Sequence, residues 1–207
     1  MQQWPAMTRW AEADYLLEVL GRRWVPVEIG RRYTDAQWQQ KLMPLADFLR
    51  DYVVEGAAMG YLAQHDLFRQ VPRLRHDIHV PDYCYAVETS TGTVQTHAWF
   101  GPAGTTSPLH YDPDHNLFAQ VVGRKQFRLY APDQPVYPHA TGTMLHNTSQ
   151  VDGMVDVEAP CWEAFPAFAQ AQGYDCTLQP GDLLYIPPLW WHYVRALDTS
   201  FSVSFWF

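Results

Sequence analysis

The chain has 207 residues, 47% of them hydrophobic, 15% aromatic and 17% charged, which is enough for one well-filled domain and leaves no room for a disordered or low-complexity bulk. With 14 Lys and Arg against 22 Asp and Glu, the net charge of −8 is a poor footprint for a phosphate backbone, so no direct nucleic-acid partner is expected. The same field favours encounter with basic polypeptides, although a charge of this size also serves ordinary solubility. Cys84, Cys161 and Cys176 are an odd number without paired spacing; they argue against a disulfide framework or a zinc site and for a reducing intracellular compartment, nucleus or cytoplasm. No apolar run has the length of a membrane span and the first residues lack a signal-peptide pattern, so no membrane association is expected.

Taken in order, residues 6–20 place Met7, Trp10, Tyr15, Leu16, Val19 and Leu20 at helical spacing, with Gly21 as the stop. Residues 25–29 alternate as a strand with Val25, Val27 and Ile29 on one face and Glu28 on the other. Thr34 to Trp38 opens a second helical stretch that Pro44 breaks. A new helix starts there with Phe48, Leu49, Tyr52 and Val53 as its stripe. Residues 60–63 return to strand, residues 66–82 are a proline-punctuated connection, and the strand 94–100 runs into the turn Gly101-Pro102-Ala103-Gly104.

From there strands and turns alternate. Residues 116–122 and 125–130 flank Gly123-Arg124, a two-residue hairpin signal. Residues 131–159 read as loop, and 161–171 as a short helix in which Pro166 is awkward. Strands near 176–178 with 183–187, 191–196 and 200–206 close the chain. Many short strands with Gly and Pro turns behind N-terminal helices indicate a mainly β sandwich or jelly-roll.

The chemistry concentrates in Ser107-Pro108-Leu109-His110-Tyr111-Asp112 and Trp190-Trp191-His192-Tyr193-Val194. On an extended stretch His110 and Asp112 share a face, roughly 7 Å apart, near enough for one small cation to draw them together. His192 from a remote strand completes a two-His, one-carboxylate set, the facial arrangement of non-haem Fe(II) oxygenases with positions left open. A lone His-x-Asp is common by chance among nine histidines. His65, His115, His139 and His146 are alternative ligands, of which His115 lies nearest Asp112 in sequence. No Gly-x-Ser-x-Gly elbow accompanies a Ser-His-Asp alternative.

Ser107-Pro-Leu-His110-x-Asp112, Gly123-Arg-Lys125 and Ile186-Pro-x3-Trp-His192-x-Val194 together resemble the Jumonji-C branch of the Fe(II)/2-oxoglutarate oxygenases. The segments 60–65, 98–102, 145–152, 193–198 and 202–206 are similar to one subgroup, Jumonji-C arginyl hydroxylases also described as lysine demethylases, and the likeness runs from Trp4 to Phe207. It implies a double-stranded β-helix (jelly-roll, cupin-like) with flanking N-terminal helices, in a single catalytic domain spanning 1–207. Relatives carry a further strand-forming segment before the motif Trp4 to Trp10, so a fragment or an incomplete outer sheet is expected.

The resemblance also implies roles. Fe(II) sits on His110, Asp112 and His192 as the catalytic centre, with 2-oxoglutarate and O2 as co-substrates. Lys125 takes the distal carboxylate, with Tyr61, Ser107, Asn116 and Trp206 around the co-substrate. Glu28 and Trp99 line a substrate arginine's pocket, although alone they read as a solvated carboxylate and a core aromatic. Other branches place an Arg after the last ligand where this chain has Ser200 and Ser202. The function implied is hydroxylation of an arginine side chain at C-3 in a basic protein, ribosomal, chromatin-associated or histone-like. The alternatives are demethylation of N-methyl-lysine, and a catalytically silent jelly-roll interaction module; fold alone does not choose among them.

Overall fold

A computed structural model describes residues 1–56, 58–87, 92–151 and 162–207. The chain opens with two short helices, α1 (Ala6–Arg9) and α2 (Ala13–Leu20), and then the strands β1 (Trp24–Ile29) and β2 (Gln39–Pro44). Helix α3 (Leu45–Phe48) runs on into a wider π-helical turn over Leu49–Val54 and leads to β3 (Gly60–His65). Two single-turn helices, α4 (Leu67–Gln70) and α5 (Pro72–Arg75), and a 3-10 turn at Asp82–Tyr85 precede the remaining strands. These are β4 (Gln95–Gly101), β5 (Thr106–His110), β6 (Asn116–Val122), β7 (Lys125–Tyr130), β8 (Gly173–Leu178), β9 (Leu183–Ile186), β10 (Trp191–Ala196) and β11 (Ser200–Trp206). Among the described residues no helix is long and apolar enough to cross a membrane.

All strand pairs are antiparallel, in a seven-stranded sheet ordered β2-β1-β3-β4-β11-β6-β9 and a four-stranded sheet ordered β5-β10-β7-β8. From β4 onward the chain passes repeatedly between the sheets, which is the double-stranded β-helix that the resemblance implies. Strands β1 to β3 extend the larger sheet.

Strand β11 shows how sequence divides the layers. Phe201, Val203 and Phe205 are fully buried on the face that receives the N-terminal helices, while Ser200, Ser202 and Ser204 alternate with them. Trp10 packs on Phe201 at 4.3 Å between ring centroids, and Phe100 stacks on Phe201 at 4.7 Å. Burying each such ring is worth roughly 2–3 kcal/mol. The small serines leave room between the sheets: Ser204 accepts the indole N–H of Trp99 at 2.9 Å, and Ser202 donates to Gln120 at 2.8 Å.

Several expectations need correction. The helix over 6–20 breaks at Glu12, whose backbone is extended, and the break lets Arg9, Trp10 and Tyr15 all hydrogen-bond the buried Asp77 carboxylate. The helical reading after Thr34 fails: residues 39–44 form β2, because registry with β1, Glu28 opposite Gln40, outweighs weak local propensity. The hairpin at Gly123-Arg124 is a corner; β6 and β7 have the expected limits but lie in different sheets. There Gly123 holds φ +69°, and an added Cβ would lie 2.1 Å from the Thr199 carbonyl oxygen, so the close crossing of the chain requires glycine. Likewise β8 and β9 do not pair with each other. Pro166 starts a 3-10 helix, Pro166–Gln170, rather than interrupting a helix. Cys161 and residues 152–159 of the expected loop lie outside the described residues.

Candidate active site

His110 ends β5 and faces His192 directly across the β5–β10 ladder. Asp112 lies two residues beyond the strand, so it is not held by strand alternation as expected; its carbonyl instead accepts the Leu189 N–H at 2.8 Å, tying it to the turn before β10. That turn places Leu189 at φ +64°, a conformation that side chains rarely adopt and that recurs at functional sites. One donor atom from each of His110, Asp112 and His192 lies within 4.8 Å of the others. His192 Nε2 is 3.6 Å from Asp112 Oδ2, and the two imidazole centroids are 4.2 Å apart.

The tautomers follow from the second nitrogens. His110 Nδ1 donates to the Pro108 carbonyl at 2.6 Å and His192 Nδ1 to the Trp190 carbonyl at 3.0 Å, which leaves both Nε2 lone pairs free for a metal. Burial, and then the neighbouring His110, hold His192 below the usual histidine range, so it stays neutral as a ligand must. Two imidazoles and a carboxylate suit a divalent first-row metal.

Lys125, the first residue of β7, is 1% exposed. Its Nζ donates to the Tyr61 hydroxyl at 3.0 Å and lies 5.3 Å from the ring centroids of Tyr61 and Phe118. Burial pushes its ammonium down to about 7, and among the described residues no carboxylate pairs with it. A small inner cavity lined by Lys125, Tyr61, Ser107, Asn116 and the three candidate ligands surrounds it. Ser107 hydrogen-bonds the Tyr61 hydroxyl, while burial and the Glu28 charge push that phenol up, keeping it a proton donor. The Asn116 side-chain oxygen is buried without a partner among the described residues. A buried cation without an anion, ringed by hydroxyl and amide groups, is a seat for a carboxylate; the donor set therefore fits 2-oxoglutarate.

Outside it, sharing Tyr61, Trp99, Ser107, His110 and Asp112, opens a cavity of about 540 Å3. Glu28 and Trp99 both line it, so the sheet turns the Glu28 carboxylate inward rather than to solvent. Burial pushes Glu28 up, opposed by a hydrogen bond from Trp38. Trp206 lines this outer cavity and not the inner one, its indole nitrogen buried without a partner among the described residues. Sequence reasoning missed Trp38, Tyr33 and Thr148. Trp38 was hidden by the false helix, and the Tyr33 hydroxyl meets Thr148 Oγ1 at 3.0 Å across the cavity. Reading residues 39–44 as the partner of β1 brings Trp38 beside Glu28.

The alternative histidines stand apart from the triad. His115 stacks on Phe207 and hydrogen-bonds the Tyr185 hydroxyl at 2.7 Å, and His146 bonds the Thr143 carbonyl at 3.0 Å. Among the described residues, His110, Asp112 and His192 are the one metal-competent group.

A double-stranded β-helix with this candidate donor set at one end of its smaller sheet defines a cupin-type fold with a metal-competent site. The chain belongs to the cupin-like domain family, whose profile matches residues 1–207, and within it resembles the Jumonji-C domain proteins. It is 51% identical over its full length to lysine-specific demethylase 8 of Xenopus tropicalis, covering 46% of that protein. It is 48% identical to lysine-specific demethylase JMJ30 of Arabidopsis thaliana and 47% identical to Jumonji C domain-containing protein 5 of Drosophila melanogaster, again over 100% of this chain and covering 48% and 52% of those proteins. The chain spans about half the length of the curated relatives it matches.

Proposed function

We propose that this chain is an intracellular Fe(II)- and 2-oxoglutarate-dependent oxygenase that hydroxylates an arginine side chain at C-3 in a basic protein. In this reading residues 1–207 form one catalytic domain. His110, Asp112 and His192 hold the metal, and Lys125, aided by Tyr61, Ser107 and Asn116, receives the distal carboxylate of 2-oxoglutarate. Trp206 lines the outer cavity and is paired in the ladder with Asn116 of that seat. When bound, metal and co-substrate supply the oxidation that inserts one oxygen atom of O2 into a C–H bond; the protein positions that bond and excludes water.

The observation that carries the arginine reading is the inward Glu28 carboxylate, with Trp38 bonded to it and Trp99 in the lining of the same cavity. A guanidinium is planar, always charged and best held by a carboxylate with an aromatic face beside it. A second reading, demethylation of N-methyl-lysine, is favoured by the names of the Xenopus and Arabidopsis relatives, and an aromatic-walled cavity also suits a methylated ammonium.

Mass spectrometry of basic peptides, histone and ribosomal sequences among them, after incubation with protein, Fe(II), 2-oxoglutarate and O2 separates the readings. A gain of one oxygen on arginine supports the first, and loss of a methyl group from lysine the second. Neither product, with no 2-oxoglutarate consumed by iron-loaded protein, would leave a silent interaction module.

A further inference from the structure

The register of β1 and β2 sorts their side chains between two faces. Val25 and Val27 are fully buried under the helices, so the alternate pairs Glu28–Gln40, Pro26–Leu42 and Trp24–Pro44 take the opposite face. That face carries Glu28 and Trp38 into the outer cavity. Away from the cavity it becomes an uncharged strip in which Trp24 is 62% exposed and Leu42 68% exposed, beside Pro26 and Pro44. Large apolar side chains clustered on an open sheet face mark an interaction site more often than chance exposure.

The strip is continuous with the cavity. Trp24 lies four residues along β1 from Glu28, roughly 13 Å, a span that an extended chain covers in about four residues. The strip's border also suits a main chain. Gly30 bonds Met59 and Leu45 bonds Arg23 through the backbone, so the odd-numbered residues of β1 bond β2. Gln40 and Leu42 therefore turn their N–H and C=O groups to an edge of the sheet that is open among the described residues.

We propose that Trp24, Pro26, Leu42 and Pro44 form a docking track for the polypeptide flanking the target residue. The occupant is an extended substrate segment with large apolar side chains about three to six residues to one side of the cationic residue in the cavity. The inference rests on the cavity holding a substrate side chain. It adds a second, apolar determinant to a site whose charge selects only a cation.

Metal-loaded protein is offered two libraries of peptides about 15 residues long, long enough to cover the track on either side. One library has a fixed central arginine or N-methyl-lysine and the other a fixed central alanine, with all other positions randomised. Captured peptides should be enriched in Leu, Ile, Phe or Trp on one side of the centre. The variant Trp24→Ser/Leu42→Ser should lose that enrichment and bind the best parental peptide at least about tenfold more weakly, with peptide-independent 2-oxoglutarate turnover unchanged. Leu42→Ser alone should give a partial loss.

Enrichment that survives in the double variant, or selection of the central cation with no flanking preference, would overturn the track and leave the cavity reading standing. Apolar enrichment lost in the variant, without selection of the central cation over alanine, would sustain the track and overturn the cavity reading. If the parent dimerises in sedimentation runs and the double variant does not, the strip is an interface between copies of this chain and the track falls.

Discussion

Replacing Lys125 by methionine removes an ammonium that burial holds at about 7 instead of 10.5. The difference corresponds to roughly 5 kcal/mol, the free energy of keeping Lys125 charged with no anion beside it. At 1% exposure little solvent screens this cost. The unfolded chain keeps the lysine proton up to about pH 10.5 and the folded chain only to about 7, so the unfolded state binds more protons in between. Ligand-free protein therefore gains stability as pH rises through that window, by at most about 1.4 kcal/mol per pH unit from this group, and carries the full cost below it. A carboxylate against Nζ restores the charged form, so 2-oxoglutarate should take up about one proton on binding near pH 8.5. Calorimetric titration of zinc-loaded protein, in buffers of different ionisation enthalpy, measures that proton. Lys125→Met should bind far more weakly, without uptake, and its metal-free form should be the more stable at neutral pH. No uptake by the parent, or equal uptake by the variant, would place the carboxylate elsewhere.

Asp112→Ala should leave the fold intact while 2-oxoglutarate consumption falls by more than about 100-fold, since a charged ligand is lost; full turnover with iron still bound would refute the metal assignment. Glu28→Gln should lower kcat/KM for arginine peptides by about 2–3 kcal/mol in transition-state free energy. Because burial penalises the Glu28 charge, the same variant should melt no lower than the parent, and a drop in both would indicate a structural role. Gly123→Ala, forced to φ +69° with its Cβ 2.1 Å from the Thr199 carbonyl oxygen, should cost more than about 3 kcal/mol in urea unfolding. A loss under about 1 kcal/mol would show that the corner can relax.

The most legible parts of the sequence were those whose local pattern and long-range setting agree. Strands 116–122 and 125–130 have the observed limits because their apolar runs are separated by the turn signal at Gly123-Arg124. Their partners were not legible, since a two-residue Gly-Arg connection serves a hairpin and a sheet-to-sheet corner equally well. Strand β2 was missed because Gln39 to Pro44 are mostly exposed and carry no apolar alternation; only pairing with β1 makes them a strand, and Trp38 was missed with them. That His110, Asp112 and His192 come together was readable from motif spacing. The reason Asp112 stays in place was not, because it depends on a backbone hydrogen bond from Leu189, 77 residues away.

The candidate ligands and Lys125 come from the smaller sheet and its loops, whereas Glu28 and Trp99 stand on the larger one. In the proposed reading, reagent and target are thus presented by opposing walls joined at corners such as Gly123. Changes on β1 and β2 can then alter which chain is recognised while the redox apparatus is untouched, so new substrates are reachable through few substitutions. The converse is a vulnerability: any slippage between the walls displaces the target bond from the oxidant without unseating a single ligand. Such a lesion would show as co-substrate consumed with no modified product.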